Sequence, residues 1–199
     1  MRIIGVTGPS GSGKSLLGKV FAQKGIPTID ADKVYHSMLL PPSKCLDAIR
    51  AAFGDGVFNE NGTLNRESLS EIVFGDKDKL QLLNSTVLGL VLEEIRRMIR
   101  ELEDSGAAAV IVDAPTLIES GFNKECHTVI TVLSPAEDRI GRISVRDGID
   151  EQRARQRVQA QRSDSFYEEH SDIVIRNDTD EEQFTKNLYS LIDTLGIKK

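Results

Sequence analysis

Cysteine is nearly absent: Cys45 and Cys126 are the only two among 199 residues, and neither belongs to a C-x-x-C pair. Two such thiols exclude a disulfide framework and fit a reducing cytoplasm, and both are expected to be packing residues, because a free thiol behaves as a small hydrophobe. A long apolar run near the amino terminus is missing as well. The chain meets Gly5 after four residues, too soon for a signal-peptide core or a spanning helix, so a soluble, unprocessed protein with no membrane partner is expected. Positive charge is not in excess: 25 Lys and Arg stand against 31 Asp and Glu, a net charge of -6. A general nucleic-acid binder is thereby disfavoured, and an anionic ligand would need a local basic patch. Internal repeats and low-complexity tracts are also absent. What remains is 39% hydrophobic and 28% charged, enough to bury a core in one domain, or in one domain with a sizeable insertion.

The most informative segment follows the apolar run Ile3-Ile4-Gly5-Val6. Gly8-Pro9-Ser10-Gly11-Ser12-Gly13-Lys14-Ser15 reads G-x-x-x-x-G-K-S, a glycine-rich turn whose backbone N–H groups can point inward on a polyphosphate, with the positive end of a helix behind them. In this reading Lys14 reaches the β and γ phosphates and the Ser15 hydroxyl sits on Mg²⁺. The context agrees: Arg2 to Val6 reads as a buried strand, and Ser15 to Gln23 has helical apolar spacing closed by Gly25.

Further along, Pro27-Thr28-Ile29-Asp30 reads as a short strand ending in Asp30-Ala31-Asp32. From Lys33 to Glu103 the pattern is helical, broken by Pro41-Pro42, Gly54-Asp55-Gly56 and Asn59-Glu60-Asn61-Gly62, with a long helix expected from Leu80 to Glu103. Strands return at Ala107 to Asp113, Val129 to Leu133 and Ile173 to Ile175. Ser134-Pro135 marks a helix start with Ser134 as N-cap, and Asp180 to Leu195 reads as the last helix, opened by an Asp-x-x-Gln capping box. Strands alternating with helices imply an α/β fold with a parallel sheet covered on both faces, and the helical stretch after Asp32 is an insertion placed to hold a second substrate.

Four groups carry candidate chemistry. Asp113 closes an apolar strand and has the form of the second acid of phosphate-loop proteins, which holds Mg²⁺ directly or through water. Asp30 and Asp32 end a strand where open α/β sheets bind ligands; one can accept a proton from an attacking hydroxyl while the other caps a helix, and Asp32 is the expected base. His36, one turn on, is expected to be structural or ligand-adjacent. Between Arg139 and Arg162 there are seven arginines against three acids, a local charge reversal that suits a mobile lid gripping a transferring phosphoryl group. Arg142, Arg146 and Arg157 are the candidates for phosphate contact; Arg153 and Arg155 are expected to face solvent.

These residues together resemble the dephospho-coenzyme A kinases. The likeness runs from Thr7-Gly8 to Ser15, through Ile29-Asp30-Ala31-Asp32 with His36, Phe53-Gly54, Asn61-Gly62-Thr63-Leu64-Asn65-Arg66 and Val73-Phe74. It continues through Asp113-Ala114-Pro115-Thr116-Leu117-Ile118-Glu119-Ser120-Gly121, Arg142, Arg146-Asp147, Arg157 with Gln161, and Val174-Ile175-Arg176-Asn177. The resemblance implies a P-loop NTPase three-layer α/β/α fold with a five-stranded parallel sheet. A nucleotide-binding core would cover 1–32, 105–141 and 166–199, a helical acceptor domain 33–104 and a lid 142–165. It further implies transfer of the ATP γ-phosphate to the ribose 3′-hydroxyl of dephospho-CoA, the last step of coenzyme A synthesis. Asp32 would be the base, Arg142 a phosphate-contacting arginine alongside Lys14, Gly8 to Ser15 with Arg146 the phosphate site, and Asn177 would fall near the adenine pocket. Three departures stand out: Leu88-Gly89 where the family has His-Pro, Gly-Pro-Ser-Gly in the loop, and Arg176 where an acid is usual. Gly89 would weaken a helix by about 1 kcal/mol relative to Ala. Another small-molecule P-loop kinase or a regulatory ATPase would share the loop; a GTPase would need Asn-Lys-x-Asp, and Asn123-Lys124-Glu125-Cys126 lacks the final acid. A monomer or weak homo-oligomer is expected.

Overall fold

The computed structural model describes residues 1–197. Its strands are β1 (Arg2–Thr7), β2 (Thr28–Asp30), β3 (Ala109–Asp113), β4 (Thr128–Leu133) and β5 (Ile173–Arg176). The helices among the described residues are α1 (Lys14–Gln23), α2 (Ala31–Met38), α3 (Lys44–Phe53), α4 (Arg66–Phe74), α5 (Lys77–Asp104), α6 (Ala136–Asp147), α7 (Glu151–Gln159), α8 (Asp164–Glu169) and α9 (Glu181–Leu195).

The strands form a five-stranded parallel sheet in the order β2-β3-β1-β4-β5. β1 is central, with Val6 opposite Asp113 of β3 and Thr7 opposite Thr131 of β4. A strand buried on both faces needs apolar residues throughout rather than at alternate positions, which is why Ile4 and Val6 in β1 and Val110, Ile111 and Val112 in β3 are all fully buried. α1 and α9 cover the sheet through Leu17, Val20, Phe21, Phe184, Leu188 and Ile192.

Gly5 interrupts the branched residues of β1 because its side-chain space is taken. A Cβ there would lie 2.7 Å from Leu117 Cδ2 and 2.8 Å from Cys126 Sγ. Gly5→Ala is therefore expected to cost about 1–3 kcal/mol by overpacking, read as a lower midpoint in urea unfolding; an unchanged midpoint would show that the sheet relaxes around the methyl. Burial pushes the Cys126 thiol up to about 12, and burial also raises that of Cys45, so neither presents a reactive thiolate.

Two compact units divide the chain: residues 1–29 with 102 onward, which hold the sheet, and residues 30–101. The second unit is helical, with an isolated antiparallel bridge between Phe58 and Leu64. Its helices start where short polar side chains accept from backbone N–H groups: Asp30 from Lys33, Ser43 from Cys45 and Asn65 from Ser68. α5 begins three residues earlier than its apolar spacing indicates, because Asp76 Oδ1 accepts from the Asp78 and Lys79 amides. Gly89 lies within it, and a Cβ built there meets nothing within 4 Å beyond the helix's own backbone. No helix among the described residues is long and apolar enough to cross a membrane.

Two local expectations are corrected. Pro135, not Ser134, occupies the N-cap position of α6, because the first i→i+4 bond of the helix runs from Arg139 N to Pro135 O at 3.1 Å; the Ser134 hydroxyl accepts from Arg142 Nη1 at 2.9 Å. At α9 only half of the capping box forms: Asp180 Oδ1 accepts from the Gln183 amide, while the Gln183 side chain turns along the helix to Asn187 Oδ1.

Candidate active site

Residues 8–15 leave the end of β1 and close onto the first turn of α1. The turn needs Gly13 at φ 111°, in a region that favours glycine, and a Cβ there would strike Asn177 Nδ2 at 2.5 Å. Gly8, at φ 132°, lies so close to β4 that a Cβ would sit 2.3 Å from the Val132 carbonyl oxygen. Inside the loop, Ser12 N donates to Pro9 O at 3.3 Å, and Lys14 Nζ donates to Gly8 O at 2.7 Å and Pro9 O at 3.0 Å. The ammonium group is thus held over the loop it belongs to. The first turn of α1 carries no acidic residue, so its positive end is not neutralised locally.

Asn177 is buried, and its side chain lies against the loop from behind. Its amide nitrogen donates to Ser12 O at 2.8 Å, while its backbone N–H donates to Leu133 O at 2.7 Å. Its side-chain hydrogen bond is thus to loop backbone, whereas the resemblance places it near an adenine pocket. Arg176, next to it, pairs with Glu168 at 2.5 Å.

Ser15 is exposed in the first turn of α1, and Asp113 is half-buried at the end of β3, opposite Val6 of the strand that feeds the loop. Both are hard oxygen donors. No group of three or more His, Cys, Asp or Glu side chains able to hold a metal ion exists among the described residues. Such a sparse oxygen set suits Mg²⁺, which keeps waters and phosphate oxygens as its other ligands, and does not suit a closed zinc or calcium cage.

α6 and α7 form a hairpin around Ile140, Ile143, Ala154 and Val158. With those residues turned inward, Arg139, Arg142 and Arg146 share another face of α6 at helical spacing, and that face meets the loop. Arg142 Nη1 donates to Gly11 O at 3.0 Å as well as to Ser134 Oγ, and Arg146 Nη2 donates to Ser10 Oγ at 3.3 Å. Arg157, the third candidate, reaches Asp147 Oδ2 at 2.5 Å rather than the loop. Asp147 also accepts from Arg146 Nε at 2.7 Å. The hydrogen bond from Arg146, with Arg157 adding to it, holds the Asp147 carboxyl below the usual carboxylate range. Arg153 pairs with Asp150, and Arg155 with Glu137 and Glu151, on the outer side of the hairpin where ion pairs contribute little.

In the second unit, Asp30 and Asp32 have separate roles. Asp30 is engaged: Oδ1 accepts from Lys33 N at 3.0 Å and Oδ2 pairs with Lys33 Nζ at 3.1 Å. Asp32 is exposed in the first turn of α2, and its carboxylate has no hydrogen bond or ion pair among the described residues. His36 is exposed on the same helix, with its ring 5.9 Å from that of Tyr35. Sequence reasoning missed Ser134 as a partner of Arg142, eight residues on, and missed what Gln161 and Arg139 touch; for the bond from Ser10 to Gln161, 151 residues apart, no local pattern exists to signal it.

The dephospho-CoA kinase family model (CoaE) matches residues 2–183. A dephospho-CoA kinase of Symbiobacterium thermophilum is 35% identical over 177 residues, covering 89% of this chain and 74% of that one. One of Fusobacterium nucleatum is 34% identical over 194 residues, 97% of this chain and 98% of the relative. Among solved structures, a Thermus thermophilus protein superposes with a TM-score of 0.80 at 27% identity, covering 98% of this chain and 97% of that chain. A sheet with β1 at its centre, a phosphate loop at the end of that strand and near-complete coverage at this identity lead to one conclusion: the chain belongs to the dephospho-CoA kinase family.

Proposed function

We propose that this kinase transfers the γ-phosphate of ATP to the ribose 3′-hydroxyl of dephospho-CoA, the final step in making coenzyme A. The observation that carries the reading is the loop of residues 8–15, braced by Lys14 and faced by Arg142 and Arg146, in a member of this family. Lys14 and the loop amides hold the β and γ phosphates, and Arg142 and Arg146 bring further positive charge to the same loop, so that charge spread over the phosphoryl oxygens is met by fixed donors. Ser15 and Asp113 would hold Mg²⁺, which when bound neutralises phosphate charge. Asp32, with its carboxylate uncommitted, takes the proton of the attacking hydroxyl; alignment supplies most of the rate, so its task is to place that hydroxyl as much as to deprotonate it. Residues 33–104 serve as the acceptor domain and 142–165 as a lid, and Asn177 stands beside the nucleotide as a support of the loop. The cytoplasm is the compartment in which this chemistry fits two unpaired thiols.

The test is ADP release from Mg-ATP by the purified protein with and without dephospho-CoA, with the product weighed for one added phosphate. Acceptor-dependent turnover that yields coenzyme A is the expected result. Turnover on a different alcohol alone would mean that an acceptor surface altered at Leu88-Gly89 selects another substrate, and turnover with no acceptor would make the protein a regulatory ATPase.

A further inference from the structure

Gln161 lies just beyond α7, half-buried, and its side-chain oxygen accepts twice: from the Ser10 backbone N–H at 3.1 Å and from Arg139 Nη1 at 3.4 Å. We infer that Gln161 is a positioning residue for the nucleotide site, which fixes the phosphate loop through the Ser10 amide and is itself fixed by Arg139. The inference rests on the reading that this loop binds a triphosphate.

Three observations bear on it. First, the loop divides its amides. Ser10 N–H goes to Gln161 and Ser12 N–H to Pro9 O, whereas the amides of Gly11, Gly13 and Ser15 make no hydrogen bond to protein among the described residues. The Gln161 contact therefore holds the loop through an amide distinct from those at the start of α1, which are the ones aimed at phosphate oxygens. Second, Arg139 is only 7% exposed and is poorly compensated. Its Nε has no hydrogen-bond partner, and the carboxylate it pairs with, Asp164 Oδ1, is 4.0 Å away. A buried guanidinium in that position needs acceptor atoms, and the Gln161 carbonyl is one. Third, the Arg139 backbone is pressed against the loop: a Cβ on Gly11 would come within 2.9 Å of the Arg139 carbonyl oxygen. α6, Gln161 and the loop thus form a closed circuit from Gly11 to Arg139 to Gln161 to Ser10, and the oxygen of Gln161 closes it.

Mg-ATP titration calorimetry without acceptor tests this circuit. Gln161→Leu keeps similar bulk and removes the acceptor, so Kd for Mg-ATP is expected to rise about tenfold, with kcat at saturating substrates reduced less than kcat/KM. Gln161→Glu retains acceptor oxygens facing both Ser10 N–H and Arg139 and is expected to recover most of that loss. Arg139→Met should also weaken binding, and the double variant with Gln161→Leu should be no worse than Gln161→Leu alone, because both act through one contact. An unchanged or tighter Kd in Gln161→Leu overturns the inference. So does an equal loss in Gln161→Glu, which would place the role on the amide nitrogen as a donor to ligand. If Gln161→Leu fails to fold, Gln161→Asn serves instead: it falls one methylene short of Ser10 and must lose affinity, and wild-type affinity there overturns the inference equally. Wild-type protein that binds no Mg-ATP would sink the proposed function together with this brace; wild-type binding with indifferent variants would sink the brace alone.

Discussion

Lys14→Ala is expected to lower kcat/KM for ATP by about a thousandfold or more while leaving the circular-dichroism spectrum unchanged. The size follows from two losses at one atom. The Nζ group is the cation carried by the loop itself, held at 2.7 Å from Gly8 O and 3.0 Å from Pro9 O, so its position is set by the backbone proposed to cradle the phosphates. Alanine removes the charge and unties the loop's own carbonyls together. Lys14→Arg is not expected to restore activity, because a planar guanidinium cannot occupy a site shaped for a compact ammonium. Steady-state ADP release with saturating dephospho-CoA reads both variants. A kcat/KM for Lys14→Ala within tenfold of wild type would remove Lys14 from phosphate contact.

Asp32→Asn is expected to reduce kcat by about 10²–10⁴ with KM values changed little, since the amide keeps the shape of the carboxylate and loses only its basicity. Asp30→Asn supplies the comparison. Asp30 is occupied by Lys33 through both oxygens and caps α2, and asparagine caps a helix about as well as aspartate, so this variant should turn over near the wild-type rate. The contrast between two acids separated by a single residue excludes a general effect of lost negative charge. Turnover by Asp32→Asn close to that of Asp30→Asn would take the role of base away from Asp32.

What could be read from the sequence was local. The glycines of the phosphate loop, the acids that end β2 and β3, and the arginine spacing of α6 each depend on a few neighbouring residues, and the structure bears out the strands and helices they mark to within a few residues. Cap choice was less legible. Asp30 caps α2, which starts at Ala31, in line with the division of labour expected for the two acids, whereas Ser134 is not the cap of α6. The helix there starts one residue later than Ser134-Pro135 indicates, and the Ser134 hydroxyl serves Arg142 two turns further on. Least legible were the supports of the loop itself: Gln161 is 151 residues from Ser10, and Asn177 is 165 residues from Ser12. Their side chains are ordinary amides with no periodic partner, so only the closed fold brings them to the turn they hold.

That separation bears on how the protein is born. β1 and the loop are made well before both sheet neighbours of β1, which are β3 and β4. At roughly 5–20 residues per second, the loop spends on the order of ten seconds without the amides of Gln161 and Asn177. Until then the nascent chain carries the whole glycine-rich motif without two of the side chains that support it, and a fragment released before Asn177 is expected to bind nucleotide more weakly than the finished fold. Full affinity for ATP would then report that synthesis has passed Asn177, and the motif alone would not.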